Sequence, residues 1–157
     1  MENNIKNTKL VMSQVMMPHQ ANVAGNIHGG EIMKFMDSAA YALARKYAKS
    51  NVVTARVDEL EFHLPIFVGE LVTCTAKIAF AGRSSMEVGV TVEVEDLEQN
   101  SPPQKALSAY FTMVALDKKG RPKLVPKLIL NTEEEKALFE EGKKRHASYK
   151  LKKQKSK

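Results

Sequence analysis

The middle of the chain changes from a helical to an extended hydrophobic pattern. Between Glu31 and about Ala48, apolar residues recur at steps of three and four, which predicts a helix with a broad buried face. The many alanines in this segment favour a helix. From Val52 onward, apolar positions recur every second residue, and this period predicts β-strands. The predicted strands cover residues 52–62, 70–80, 85–95 and 106–116.

Three of these strands carry further information. Residues 85–95 alternate apolar and polar side chains, which predicts one buried face and one face in water. Residues 106–116 are apolar on both faces, so we expect a central strand there. In the strand over 52–62 the apolar residues change parity near Asp58 and Glu59, which predicts a β-bulge.

These elements predict one α+β domain within residues 1–130. Residues 10–17 are apolar and end at Pro18, which predicts a first strand, and residues 19–30 have the glycine and asparagine content of a loop. A meander of antiparallel strands must pack a single long helix on one face, and the sheet then wraps that helix. We therefore expect the hotdog fold, with five or six antiparallel strands around a central helix. Its open edges favour pairing with a second copy.

The chain after residue 130 is predicted to be a helix followed by a basic tail. A Thr-x-x-Glu capping box opens the helix, which we expect over residues 131–147. Residues 148–157 are expected to form a basic, mobile tail. The net charge is +6, yet residues 143–157 hold eight Lys or Arg and no Asp or Glu. The tail is either simply solvated or attracts a polyanionic ligand, and nucleic acid is not expected because Tyr149 is its one aromatic residue.

Composition and cysteine content narrow the class of protein. The 157 residues are 43% apolar and 27% charged, as in an ordinary globular domain. Cys74 is the single cysteine, so an intramolecular disulfide is impossible, which fits a reducing compartment. No segment approaches the roughly 18 apolar residues of a membrane span, and residues 1–9 lack the apolar core of a signal peptide. We therefore expect a cytoplasmic protein without a membrane span.

Common cofactor and metal motifs are absent from the sequence. It contains no P-loop, no dinucleotide fingerprint, no Cys-x-x-Cys and no Gly-x-Ser-x-Gly nucleophile elbow. The four histidines, His19, His28, His63 and His146, are scattered without the spacing of metal ligands. We expect neither a metal nor a redox cofactor.

The predicted central helix carries two features that suit catalysis. Gly29 and Gly30 lie at its start, where free backbone N–H groups and the helix dipole suit a carbonyl oxygen that becomes negative in a transition state. These glycines could instead make only a tight turn. Asp37 lies amid apolar neighbours, where burial raises the pKa of a carboxylate towards values useful to a general base. Asp37 could instead lie on an exposed edge of the helix.

A third feature is the Gly-Arg-Ser-Ser sequence at residues 82–85, between two predicted strands. An arginine and two hydroxyls on a tight turn suit a phosphate or pantetheine ligand. The same four residues could also form an ordinary hairpin turn.

Several segments in a fixed order resemble the hotdog-fold acyl-CoA thioesterases. The resemblance is to the branch that holds the brain-type acyl-CoA hydrolases and their single-domain bacterial relatives, and it runs from about Lys9 to Pro126. The segments are ANVAGNIHGGEIMKFMDSAA, VTARVDELEFHLPIFVGE, GRSSMEVGVTVEVE and FTMVALDKKGRPKLVP.

This resemblance implies an active site shared between two hotdog units. It implies that Asn22 of one unit and Asp37 of the other are catalytic, and that the amides of Gly29 and Gly30 bind the thioester carbonyl. The family commonly forms hexamers as trimers of dimers, which implies a homo-oligomer here. The implied contacts with coenzyme A are Thr54, Arg56, Arg83, Ser84 and Ser85.

Three functions follow from these observations, and the first is preferred. The first is hydrolysis of acyl-CoA to a free acid and CoA, in which Asp37 activates water or attacks the carbonyl itself and CoA is part of the substrate. The second is a hotdog enoyl-CoA hydratase or dehydratase, in which His28 and Asp37 move protons. The third is a non-enzymatic acyl-CoA or nucleotide-binding module whose basic tail contacts a partner.

Overall fold

The computed structural model of the protein describes residues 8–157 and shows one long helix wrapped by an antiparallel sheet, with a second helix outside. The expectations for residues 1–7 lie outside the described part of the chain. The strands are β1 (Lys9–Val15), β2 (Asn51–Phe62), β3 (Leu71–Ala81), β4 (Ser85–Glu95) and β5 (Gln104–Leu116). The helices are α1 (Gly29–Ala48) and α2 (Glu133–Lys155), with a short 3-10 turn at Pro18–Gln20.

The order of the strands corrects the predicted meander. The sheet has five strands in the order β1-β3-β4-β5-β2, so only β3, β4 and β5 follow one another as neighbours. β2 pairs with β5 and forms one edge. Residues 63–70 make no tight turn and instead cross to β3, held to the loop before α1 by the bond from the Ile27 N–H to the Ile66 carbonyl at 2.7 Å. β5 is an interior strand, as predicted, although β4 holds the middle position.

The core lies between α1 and the concave face of the sheet. α1 approaches the strands through small residues, since Ala39, Ala40 and Ala44 are fully buried. Each large apolar side chain buried against them contributes about 1.5–3 kcal/mol. These side chains include Met36, Leu43, Val88, Val90, Phe111 and Met113.

Two irregularities in β2 decide which way its side chains face. The bulge predicted near Asp58 and Glu59 is confirmed, because the register shifts after Asp58 and Glu59 has a φ of 53°. A second shift lies between Thr54 and Arg56 and was not predicted. Thr54 therefore faces α1, whereas Arg56 reaches α2 on the other face of the sheet.

α2 lies across the outer face and extends beyond its predicted end. Its capping box is confirmed, since the Glu135 N–H donates to Thr132 Oγ1 at 3.1 Å. The predicted helix end at residue 147 is wrong, because the helix continues to Lys155 and includes most of the basic tail expected over 148–157. Lysine and glutamine favour a helix, and positive charge is stabilising at a helix C-terminus. Neither helix of the described residues, 8–157, is long and apolar enough to cross a bilayer.

α2 also buries a carboxylate that the alternating pattern predicted to face water. Glu87 is only 3% exposed. Arg145 of α2 binds it through Nη2 at 2.6 Å and Nε at 3.0 Å, and the same guanidinium lies 3.8 Å from the ring centre of Tyr110. The close approach depends on Gly142, where an added Cβ would lie 2.7 Å from Phe80 Cβ. The outer face is therefore a packed layer at this point and not a solvated one.

Candidate active site

Asp37 is held by one hydroxyl at the rim of the core. α1 turns its side chain towards β2, where Thr54 Oγ1 donates to Asp37 Oδ1 at 2.6 Å. Asp37 is half-buried, between the fully buried Met36 and the exposed Ser38. Within residues 8–157, Asp37 has no cationic partner and Oδ2 accepts no hydrogen bond. The carboxylate is thus fixed by one oxygen and open to a ligand at the other.

The start of α1 presents one free amide, where two had been predicted. His28 is the N-cap, and its Nδ1 accepts the Gly30 N–H at 3.0 Å. The Gly29 N–H donates no hydrogen bond among the described residues. A Cβ added to Gly29 would lie 3.4 Å from the ring of Phe62, so this backbone lies close against the end of β2. The role of both glycine amides stays a prediction, and in this structure the Gly30 N–H is directed to His28 Nδ1.

Asn22 orders the loop in front of this amide. Its Oδ1 accepts the N–H groups of Ala24 at 3.0 Å and Asn26 at 3.2 Å, which is the Asx-turn arrangement. Gly25 completes the loop with a φ of 90°. The side-chain NH₂ of Asn22 is exposed and donates no hydrogen bond within residues 8–157. An open cavity of about 360 Å³ lies here, lined by Asn22, Gly29, Ile32, Phe62, His63 and Leu107.

Within one chain, the loop with Asn22 and the carboxylate of Asp37 are separated. Gly29 borders Phe62, the last residue of β2, whereas Asp37 binds Thr54 near the start of that strand. The eight residue steps of helix from Gly29 to Asp37 span about 12 Å. A single chain therefore holds two partial sites, one at each end of β2.

The turn at residues 82–85 belongs to the same end of the sheet as Asp37. The Gly82 N–H donates to the Ser85 carbonyl at 2.8 Å and closes the β3–β4 hairpin. Ser85 pairs with Val114, which pairs with Val53 next to Thr54, so the turn lies two strands away, or about 10 Å. The Ala115 N–H donates to the Ser84 carbonyl at 2.9 Å and fixes the turn. Arg83 is exposed there.

Arg56 is the predicted ligand contact that the structure places apart from the others. Its Nε donates to both carboxylate oxygens of Asp58, at 2.7 and 2.9 Å. Its guanidinium carbon lies 3.5 Å from the ring centre of Tyr149 on α2. Arg56 therefore lies on the opposite face of the sheet from Asp37, and its guanidinium packs on Tyr149 of α2. The register shift one residue after Thr54 is the cause.

No metal site is evident in the part of the chain that the structure describes, since no three His, Cys, Asp or Glu side chains are grouped there as ligands would be. The isolated thiol, Cys74, is fully buried in the core, and burial raises its pKa to about 12. It is therefore not a nucleophile. The Asp37 carboxylate and the Gly29 amide suit acyl transfer to water better than metal or thiol chemistry.

A long helix wrapped by an antiparallel sheet is the hotdog arrangement, and the carboxylate and the free amide on that helix are the groups expected of its thioesterase members. A family model described as "Thioesterase superfamily" matches residues 24–100. The chain belongs to the hotdog-fold acyl-CoA thioesterase family. Within residues 8–157 the five-stranded antiparallel sheet and the C-terminal helix agree with this assignment.

Curated relatives are similar over most of the chain. It is 41% identical over 138 residues to the cytosolic acyl coenzyme A thioester hydrolase of Mus musculus, which covers 87% of this chain. The chain spans only 36% of the length of that relative. It is 34% identical over 125 residues to the acyl-CoA thioester hydrolase YciA of Escherichia coli K12, which covers 78% of this chain and 95% of the relative.

Solved structures agree in fold and extent. A hexameric acyl-CoA thioesterase is 32% identical, with a TM-score of 0.87 and 94% of each chain covered. An acyl-CoA hydrolase from Staphylococcus aureus, solved with butyryl coenzyme A, coenzyme A and coenzyme A disulfide, is 32% identical with a TM-score of 0.86. It covers 96% of this chain, and 92% of its own length is matched. Variants of that hydrolase with an asparagine, an aspartate or a threonine replaced by alanine have also been solved.

Proposed function

We propose that this protein hydrolyses acyl-CoA to a free carboxylic acid and CoA. The observation that carries the proposal is the Asp37 carboxylate, fixed by Thr54 through one oxygen at 2.6 Å and open at the other. Such a group can take a proton from water as the water attacks the thioester carbon. It can also attack that carbon itself to give an anhydride. This chemistry uses water and the side chains of the protein, and calls for no metal or redox cofactor.

The Gly29 N–H suits the developing negative charge on the thioester oxygen. It lies at the first residue of α1, where the helix dipole adds to the hydrogen bond. Asn22 retains free NH₂ donors that can orient water or the tetrahedral intermediate. His28 uses Nδ1 to hold the Gly30 N–H, so a proton transfer in the hydratase alternative would have to use Nε2.

The two partial sites meet when β2 pairs with a second β2. This strand is 12 residues long, and its outer edge pairs with no strand among the described residues. Open edges of this length favour pairing with another chain. Antiparallel pairing about a twofold axis places the start of each strand beside the end of the other. Asp37 of one chain then lies near Gly29 and Asn22 of the partner subunit.

The alanine variants of the Staphylococcus aureus hydrolase support these assignments. The replaced asparagine and aspartate of that protein are 15 residues apart, and the replaced threonine follows 17 residues later. Asn22, Asp37 and Thr54 have the same residue types at the same two spacings. We infer that these three residues form the corresponding group here.

Further properties follow from the same comparison. Because solved relatives are hexameric, we propose a homo-oligomer built from β2-paired dimers, with a hexamer as a trimer of dimers. We propose that CoA lies along the end of the sheet shared by Thr54, Arg83, Ser84 and Ser85. The name of the mouse relative supports a cytoplasmic location.

The primary test follows thiol release from short, medium and long saturated acyl-CoAs. The wild-type protein is expected to release CoA from at least one chain length, and Asp37→Ala is expected to lose about 10²–10⁴ of that rate. Wild-type activity that survives intact in Asp37→Ala would refute the role of Asp37. An enoyl-CoA that is hydrated faster than its saturated analogue is hydrolysed would favour the hydratase alternative.

A mixing experiment tests whether the site is shared between chains. Asp37→Ala and Asn22→Ala are each expected to be weak, but a mixed dimer of the two holds one intact site. Random assortment of equal amounts restores about a quarter of wild-type activity. The control is Asp37→Ala mixed with the double variant Asn22→Ala/Asp37→Ala, which has no intact site in any pairing. Recovery no greater than in this control contradicts a shared site.

A further inference from the structure

Hydrogen bonds fix both the backbone and the ring of His28 at the start of α1. Its N–H donates to the Gln20 carbonyl at 2.9 Å, and its carbonyl accepts the Glu31 N–H at 2.9 Å. Its ring accepts the Gly30 N–H through Nδ1 at 3.0 Å. An Nδ1 that accepts carries no proton, so the neutral ring holds its proton on Nε2.

This arrangement separates the two amides at the start of α1. The Gly30 N–H is directed into the His28 ring, and a thioester oxygen could take it only by breaking the cap. The Gly29 N–H is left free among the described residues, and Gly29 lines the cavity of about 360 Å³ beside Asn22. The histidine therefore leaves one donor for a substrate oxygen.

The two glycines explain why such a restraint is needed. Glycine has the largest conformational freedom of any residue, and the first turn of a helix lacks the internal hydrogen bonds of later turns. Without a cap, the direction of the Gly29 N–H would fluctuate. An oxyanion donor acts only when it lies about 2.7–3.1 Å from the position of the charged oxygen.

We propose that His28 is a positioning residue that assigns the oxyanion contact to Gly29 by holding the Gly30 amide. The inference rests on the proposed thioesterase function and adds a determinant of its rate. His28 acts through the backbone and not by proton transfer. Asparagine can take over this role because its side-chain oxygen also caps helices, whereas alanine has no side-chain acceptor.

The test compares His28→Asn with His28→Ala in the full-length protein. His28→Asn is expected to keep kcat within about threefold of wild type, because the Gly30 amide is still accepted. His28→Ala is expected to lose about tenfold or more in kcat with little change in KM, since the contact is made mainly in the transition state. Equal kcat in wild type and His28→Ala overturns the inference. A loss in His28→Asn as large as in His28→Ala also overturns it, because the ring would then have another role.

Two further measurements separate positioning from a general loss of structure. Amide hydrogen exchange of Gly30 by NMR is expected to be slow in wild type and His28→Asn and fast in His28→Ala; fast exchange in wild type overturns the inference. His28→Ser, with a shorter capping oxygen, keeps the comparison valid if the alanine variant folds poorly, and its kcat is expected between those of wild type and His28→Ala. If the wild-type protein releases no thiol, the proposed function is wrong. If the wild type is active and the His28 variants have the same kcat, only the role of His28 is wrong.

Discussion

Asp37 and Glu87 are two carboxylates on opposite faces of one sheet, and they are held in different ways. Glu87 is 3% exposed and receives three hydrogen bonds from Arg145, at 2.6, 3.0 and 3.1 Å. Asp37 is half-buried and receives one bond, from the neutral hydroxyl of Thr54. Burial is the largest influence on Glu87 and raises its pKa, and the contact with Arg145 opposes that rise.

The difference separates a structural carboxylate from one that is available for chemistry. The guanidinium of Arg145 uses both oxygens of Glu87 and shields them from water, so this pair fixes α2 to the sheet. The hydroxyl of Thr54 orients Asp37 without neutralising it and leaves one oxygen free. A carboxylate used as a base must reach its water within hydrogen-bond distance, and only Asp37 meets that condition.

The largest expected effect comes from matched isosteric changes at the two carboxylates. Asp37→Asn is expected to lower kcat about 10²–10⁴-fold and to change the unfolding free energy little, because the site is half-exposed. Glu87→Gln is expected to do the reverse, with reduced stability and nearly intact kcat, because Arg145 then lacks a charged partner. Urea denaturation and steady-state kinetics on both proteins check the pair. A large loss of kcat in Glu87→Gln at a temperature where it is folded would contradict the separation.

Removal of the cation in the structural pair is the next largest effect. Arg145→Met leaves Glu87 buried without its partner and is expected to reduce the unfolding free energy by about 3–5 kcal/mol. The double variant Glu87→Leu/Arg145→Met fills the same space with apolar groups and is expected to regain most of this loss. Urea unfolding measures both. A double variant no more stable than Arg145→Met would contradict the expected recovery, and the difference between the double variant and wild type gives the net contribution of the ion pair.

For the second carboxylate, Asp37, the corresponding change is removal of its hydrogen-bond donor, Thr54. Thr54→Val removes the hydroxyl while keeping the shape, so Asp37 loses the bond that fixes its orientation. A hydrogen bond to a charged group contributes about 1.5–3 kcal/mol, which corresponds to roughly 10–100-fold in kcat if it acts on the transition state. Thr54→Ser keeps the hydroxyl and is expected to stay within about threefold of wild type. Equal rates in the valine and serine variants would show that the bond does not position Asp37.

The contrast between these sites also marks what the sequence could and could not predict. The helix around Asp37 and the strand around Glu87 followed from hydrophobic period, and the bulge at Glu59 followed from a change of parity. The bond between Asp37 and Thr54 joins residues 17 positions apart, and it depends on β2 lying beside β5, which no local pattern encodes.

The predicted end of α2 at residue 147 misses the packing of Tyr149, and the alternating pattern of β4 separately misses the burial of Glu87. A run of lysines has the same composition in a solvated tail and in the last turns of a helix, so residues 148–157 gave no signal of Tyr149 packing on Arg56. Gly142 and Arg145 lie inside the helix predicted over residues 131–147, but no local pattern indicates that this helix packs on the outer face of the sheet and buries Glu87. The resemblance implies a ligand contact for Arg56, and the sequence does not reveal the register shift between Thr54 and Arg56 that turns Arg56 to the outer face.

The smallest expected effect is a pH dependence of stability that arises from the structural carboxylate, Glu87. Burial raises the pKa of Glu87 above its ordinary value of 4.5, and the loss of Arg145 removes the hydrogen bonds and the positive charge that oppose this rise. Between 4.5 and the raised folded pKa, the folded state of Arg145→Met binds more protons than the unfolded state, so stability falls as pH rises. Each unit of further shift contributes about 1.4 kcal/mol. Urea unfolding of Arg145→Met at about pH 5 and about pH 7 should show a larger loss of unfolding free energy, relative to wild type, at the higher pH. The control Glu87→Gln/Arg145→Met lacks the titrating group and should show the same deficit at both, so a pH-dependent deficit in this control would assign the effect to another residue.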